Sequence, residues 1–195
     1  LVVGLVHAPA FPHRRATLAE TRSALATYDA LVVVACDDVA APDEPLPKAC
    51  TVACDGLGDC RNDLVHMARL AHATHLAVFD DDALVTTAAL SALRAGMRAH
   101  PEVDLLAGVY QNAAPEAMAH DLLFENRVLT MAPIDDLDVD PSTPKAAEFV
   151  QNAFVAKLDA LDAAPWDDRA KMEEHLLFFV KLKLRGKRVA VLPSV

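Results

Sequence analysis

The sequence predicts an α/β domain, a mostly parallel central sheet with helices on both faces. Three observations carry this expectation. Short apolar runs of strand length recur at 1–7, 30–36 and 75–79. Segments of helix length separate them, with apolar residues spaced to fill one face. Two of the runs end abruptly in acid, at Asp37-Asp38 and at Asp80–Asp82. Strands alternating with helices imply parallel pairing and a sheet covered on both sides. In such sheets ligands bind beyond the carboxyl ends of the strands.

Each element follows in order. "LVVGLVH" (1–7) reads as a buried strand closed by Ala8-Pro9. From His13 to Thr27 the spacing predicts a helix with Leu18, Thr21, Ala24 and Leu25 on one face. "ALVVVACDD" (30–38) is a second buried strand, followed by a connector holding Pro42, Pro45 and Pro47. "CTVAC" (50–54) is a short third strand, and Gly56-Leu57-Gly58 turns into a helix from Asp59 to Ala71. The strand 75–79 leads into the acidic triplet and a helix from about Thr86 to His100, with Thr86 or Thr87 as its cap. "VDLLAGVYQ" (103–111) is another strand.

After residue 110 the rhythm changes. "HDLLFENRVLTMAP" predicts a hairpin with Asn126 near its turn, and "IDDLDVDPSTP" a polar loop. "AEFVQNAFVAK" returns to strand character. The end, "WDDRAKMEEHLLFFVKLKLRGKRVAVLPSV", predicts a helix from Arg169, Gly186 as its C-cap and a last strand. The whole forms one domain over 1–195, with halves at 1–110 and 111–195.

Composition narrows the function. Hydrophobic residues make up 53% of the chain and mean hydropathy is positive, so a sizeable core is expected. No apolar run reaches the roughly 20 residues of a membrane span. The start shows no signal peptide, although an upstream segment is left open because residue 1 is Leu. The formal charge of −10 argues against broad nucleic-acid binding while allowing a local basic pocket or a bridging metal. Cys36, Cys50, Cys54 and Cys60 lack a CxxC pair, so reduced, mostly buried thiols in a cytoplasmic protein are expected rather than zinc.

Two constellations carry chemistry. Asp80 and Asp82 are two residues apart at a strand end, a spacing that lets both face one magnesium or manganese ion while Asp81 points to the other side. The plain alternative is a strand end followed by an acidic helix cap. The DxD pairs Asp136/Asp138 and Asp138/Asp140 lack a preceding apolar strand and read as solvated loop. The second constellation is Glu173, Glu174 and His175, running together on the last helix after Trp166. A carboxylate there suits a general base, and His175 suits a metal ligand or hydrogen-bond partner. Met172, Leu176, Phe179 and Val180 read as its buried face.

In order and spacing these segments resemble GT-A glycosyltransferases, most closely the family 2-like inverting enzymes of the β-1,4-N-acetylgalactosaminyltransferase branch. "GDCRNDLVHMA…THLAVFDDD" is similar to the family's Arg-Asn helix followed by strand and DDD. "FVQNAFVAK" resembles its Asn-bearing strand, and "WDDRAKMEEHLLFF" its Trp-Asp and Glu-His-x-x-Phe-Phe segment. The resemblance implies a GT-A fold with a nucleotide-sugar-binding first half, an acceptor and catalytic second half, and Mn2+ or Mg2+ as cofactor. By the same resemblance, Ala8, Pro9 and Arg14 border the nucleotide base, and Asp37 or Asp38 meets uracil or ribose. Arg61 and Asn62 lie beside the diphosphate and sugar. Asp80, with Asp81 beside it, touches ribose or sugar, and Asp82 holds the metal with Asp80 and His175. Glu174 takes the acceptor proton, with Glu173 as its alternative, and Trp166 stacks on sugar or acceptor. "HAPAFPHRR" lacks the family's Thr-Tyr-Asn-Arg pattern and Lys157 replaces its usual Arg, which leaves base and donor sugar open.

The expected activity is transfer from a nucleotide-sugar, UDP foremost, to a hydroxyl on a glycan, a protein or a modified nucleic-acid base. "KLKLRGKR" (181–188) is the only basic cluster available for the last, and a helix C-terminus explains it equally. A haloacid-dehalogenase-like phosphatase also uses an Asp-x-Asp after a strand, but two strand-helix units precede this one. A non-catalytic GT-A-like binding module is the remaining alternative.

Overall fold

Runs too apolar to face water on either side become central strands. The computed structural model describes residues 1–7, 14–37, 49–54, 56–110, 118–134, 137 and 140–195, without the side chains of residues 14–16, 36–37, 49–54, 168 and 171–172. β1 (Val2–His7) is buried at all six positions, and β4 (His75–Asp80) at its four central ones. With β2 (Leu31–Asp37), β3 (Ala49–Cys54), β5 (Leu105–Ala107), β8 (Lys145–Ala147), β10 (Ala153–Lys157) and β11 (Val189–Val191) they form an eight-stranded sheet. Its order is β3-β2-β1-β4-β10-β5-β11-β8. β8 and β10 run against the other six, so the sheet is mixed and mostly parallel, as expected.

Alternation along the strands feeds two cores. Leu76 and Val78 of β4 face one layer, with Leu64 of α2 (Leu57–Leu70), Leu161 of α4 (Leu158–Ala163) and Phe178 and Phe179 of α5 (Glu174–Leu184). Ala77 and Phe79 face the other, with Leu18 and Leu25 of α1 (Arg14–Leu25) and Leu90 and Leu93 of α3 (Thr87–Ala99). Gly4 is where the first layer is tightest: a Cβ there would lie 2.6 Å from a methyl of the fully buried Leu64. Thr86 caps α3, its hydroxyl accepting from the Ala89 amide at 3.1 Å.

The expected hairpin is β6 (Ala119–Glu125) and β7 (Val128–Pro133), in a second sheet of order β7-β6-β9 with β9 (Phe149–Val150). Asn126 and Arg127 at its turn have φ of 49° and 67°, the two left-handed residues that a type I′ turn requires. The last helix starts later than expected from Arg169. A 3-10 turn over Asp168–Glu173 precedes α5, and Asp167 tightens its start by accepting from the Arg169 amide and guanidinium. Gly186 follows the helix with φ of 65°, as its C-cap reading requires.

One expectation about the cysteines is overturned. Cys60, fully buried in α2, is disulfide-bonded, so the thiols are not all reduced. Disulfides persist in oxidising surroundings, and the cytoplasmic expectation loses the argument it rested on. No described helix is long and apolar enough to cross a membrane.

Candidate active site

Strand order reverses between β1 and β4, because β2 and β3 lie on one side of β1 and the later strands beyond β4. Such a switch point opens a crevice at the carboxyl edge of the sheet. His7 ends β1, Asp80 ends β4, and Asn152 enters the antiparallel β10 at the same edge. The acidic triplet therefore stands where a ligand site is expected on topology alone.

The centre of the site is Arg61. It shares the buried stripe of α2 with Leu64, Val65 and Ala68 and is 2% exposed. A guanidinium so deep must be paired. Its Nη1 donates to Glu174 Oε1 at 2.6 Å, and its Nη2 to Asp80 Oδ1 at 3.1 Å. One cation thus joins two carboxylates that come from β4 and from the first residue of α5. Asn152 Nδ2 donates to Asp80 Oδ2 at 3.0 Å, so both oxygens of Asp80 are oriented. On the opposite side of the strand, His7 Nδ1 and Asp81 Oδ2 are 2.6 Å apart, both residues buried.

A cleft of about 610 Å³ opens beside this network. Asp80 and Asp82 line it together, with Phe79, Ala89 and Tyr110 among its walls. Asp82 is exposed. Two carboxylates on one cleft are a hard-oxygen donor set of the kind magnesium and manganese take, with water or phosphate oxygens completing the shell. Among the described residues no group of three or more His, Cys, Asp or Glu side chains is placed to hold a metal, so a bound ion would draw on this pair.

Other expected site residues fall elsewhere. Asp81 is 2% exposed and turned to His7, and it does not line the cleft. Asn62 spends its amide on the backbone of Trp166, donating to its carbonyl at 3.1 Å and accepting from its amide at 3.0 Å. Trp166 is 3% exposed and stacks on Phe178 with centroids 4.0 Å apart. It is core, and an exposed platform for a sugar is not what the chain makes of it. Glu173 is exposed at the start of α5, whereas Glu174 is 4% exposed. Arg14 begins α1 and Asp37 ends β2. Their side chains, and Ala8, Pro9 and Asp38 altogether, lie outside the described residues.

His175 departs from its expected place among the metal ligands. Its Nε2 donates to the Val150 carbonyl at 2.8 Å, and its ring is packed edge-on against Phe149 and Phe179. Burial, with Arg61 adding to it, holds the imidazole down at about 4. The folded state therefore keeps this ring neutral while the unfolded chain takes up its proton below about pH 6.5. Stability contributed here is complete above pH 6.5 and is lost as pH falls from there to about 4. The loss approaches about 3 kcal/mol. Urea unfolding of wild type and His175→Phe at pH 7 and pH 5 checks this: the wild type should lose more stability than the variant on acidification. Equal losses would remove His175 from the account.

Two lysines of the basic cluster have structural partners. Lys181 donates to the Pro165 carbonyl at 2.6 Å, and Lys183 to the Leu122 carbonyl and to Glu148. Asn152 and His7 were not among the expected site residues. Each is a polar side chain at the edge of an otherwise apolar strand, and that is the signal which marks them.

Comparison with protein-family models gives no match, and comparison with curated protein sequences gives none either.

Proposed function

We propose that the chain is a metal-dependent, inverting glycosyltransferase of the GT-A type, moving a sugar from a nucleotide-sugar to a hydroxyl acceptor. The observation that carries this reading is Arg61 holding both Asp80, 19 residues away, and Glu174, 113 residues away in sequence. It draws the carboxylate proposed for the donor and the carboxylate proposed for the acceptor into one network at the switch point. The strand order, with one reversed strand inside a mostly parallel sheet, suits the same fold.

In this reading the acceptor oxygen forms a bond to the anomeric carbon from the face opposite the diphosphate. The bond from that carbon to the diphosphate oxygen breaks, and the nucleoside diphosphate leaves with the electron pair. Glu174 takes the acceptor proton. Arg61 orients that carboxylate, and Asn152 and Arg61 together fix Asp80. Asp82, with Asp80, would hold Mg2+ or Mn2+, which supplies positive charge against the departing diphosphate.

Calorimetric titration tests the reading. UDP, GDP and their sugars are titrated with and without Mn2+ into wild type and Asp82→Ala. We expect one nucleotide to bind only with the metal and to lose at least tenfold in affinity in the variant. Binding of no nucleotide under any condition would overturn the proposal.

A further inference from the structure

β7 is the outermost strand of the small sheet, and its sequence does little to guard that edge. Val128-Leu129-Thr130-Met131-Ala132-Pro133 carries no charge, and its register with β6 runs without a bulge. A strand edge with neither charge nor bulge is a template for another strand. The other side of β6 is treated differently. Beyond the two-residue β9, Glu148 accepts from the Leu122 amide and Lys183 donates to the Leu122 carbonyl. Apolar side chains also gather on the hairpin: Leu123 is 45% exposed, Phe124 53%, Val128 57% and Met131 39%. The two-residue turn pairs Glu125 with Val128, and residues flanking such a turn exchange hydrogen bonds. Val128, Thr130 and Ala132 therefore turn their backbone groups toward β6, and Leu129 and Met131 turn theirs outward.

We propose that this edge pairs with the same edge of a second copy of the chain, antiparallel about a two-fold axis at Thr130. In that register Leu129 of each copy exchanges both backbone hydrogen bonds with the partner's Met131. An axis two residues further on sets Leu129 against the partner's Pro133, which has no amide to give. An axis two residues back sets Met131 against the partner's Arg127, whose φ of 67° has left the strand. The side chains agree with the Thr130 register. Leu122 with Met131, and Phe124 with Leu129, are cross-strand pairs on one face of the hairpin. Across the axis they join into one apolar band: Phe124, Leu129, the partner's Met131, the partner's Leu122. On the other face Thr130 meets the partner's Thr130, a favourable cross-strand pair, and Val128 meets the partner's Ala132. No charge faces a like charge along the paired strands. This self-complementarity is what a two-fold interface requires, and it singles out a second copy as the occupant. The two three-stranded sheets become one of six strands. One strand a side is a small interface, below about 1,200 Å², so monomer and dimer exchange in the micromolar range.

Sedimentation velocity across the micromolar range tests the proposal on wild type, Thr130→Lys, Thr130→Glu and an equimolar mixture of the two variants. Thr130 is exposed, and on the two-fold axis each substitution sets a charge directly opposite its own copy, which opposes pairing. Circular dichroism and thermal unfolding report whether each variant is folded. We expect the wild type to pass from monomer to dimer as its concentration rises. Each variant alone should associate at least tenfold more weakly, and the mixture, with Lys opposite Glu, should recover the dimer. Wild type that stays monomeric throughout would overturn the proposal and leave the edge to a strand from another protein. Association unchanged in a folded Thr130→Lys would place the dimer contact elsewhere and overturn it equally. A mixture as monomeric as its components would overturn the pairing about Thr130.

Discussion

Arg61→Met is expected to lower the unfolding free energy by about 3–5 kcal/mol, the cost of breaking a buried ion pair from one side. Arg61 and Glu174 side chains are 3% and 6% exposed and 2.6 Å apart. Removing the cation leaves the Glu174 carboxylate desolvated with nothing to balance it. Asp80 suffers less, because its side chain is 27% exposed and Asn152 still donates to it. Urea unfolding at pH 7 measures the loss. The double variant Arg61→Met with Glu174→Leu then separates charge from packing. Two apolar side chains of similar volume remove both desolvation penalties, so the double variant should recover most of what the single one loses. A cost below about 1 kcal/mol for Arg61→Met would mean that water reaches the pair and that the site is looser than the distances describe.

Glu174→Gln is expected to lower turnover by about two to four orders of magnitude, the usual cost of losing a general base. Gln keeps an acceptor for Arg61 and nearly the same volume, so the folded site should persist. Release of nucleoside diphosphate from the sugar donor, with water as acceptor, gives a readout before the true acceptor is known. Binding of the nucleotide with Mn2+ should change little, which places the loss in the chemical step. Glu173→Gln is the companion measurement. Glu173 stands one residue earlier and is exposed, so its substitution should leave turnover within a few-fold. If Glu173→Gln carries the loss and Glu174→Gln does not, the base is Glu173, and Glu174 serves to hold Arg61.

Much of the scaffold was legible in the chain itself. The apolar runs at β1, β2 and β4 are longer than one half-buried face needs, and only a sheet covered on both sides accommodates them. Thr86 as a cap, the turn at Asn126 and the end of α5 at Gly186 follow from local backbone chemistry. The acidic triplet announced itself because carboxylates are rare at the end of an apolar strand. Arg61 entered only through the resemblance of its Arg-Asn helix, and its burial on the apolar face of α2 came from the fold.

The side-chain partners were not legible in the same way. Asp80, Asp81 and Asp82 are equivalent in one dimension, and the fold gives them three fates: one held by Arg61 and Asn152, one buried against His7, one at the mouth of the cleft. Which neighbour each meets depends on β1 and β10 arriving on either side of β4, contacts between residues 72 to 74 positions apart. Trp166 and His175 show the same limit. A Trp beside acids and a His beside two Glu look like site residues in sequence, yet the packing of Phe178 takes the first into the core, and Phe149 and Phe179 hold the ring of the second, half-buried, against its edge. Periodicity and turn chemistry are local, and they determined which segments are strands and helices and which edge gathers acid. Pairing of charges and enclosure of rings need groups distant in sequence to be desolvated together, and only the tertiary structure decided those.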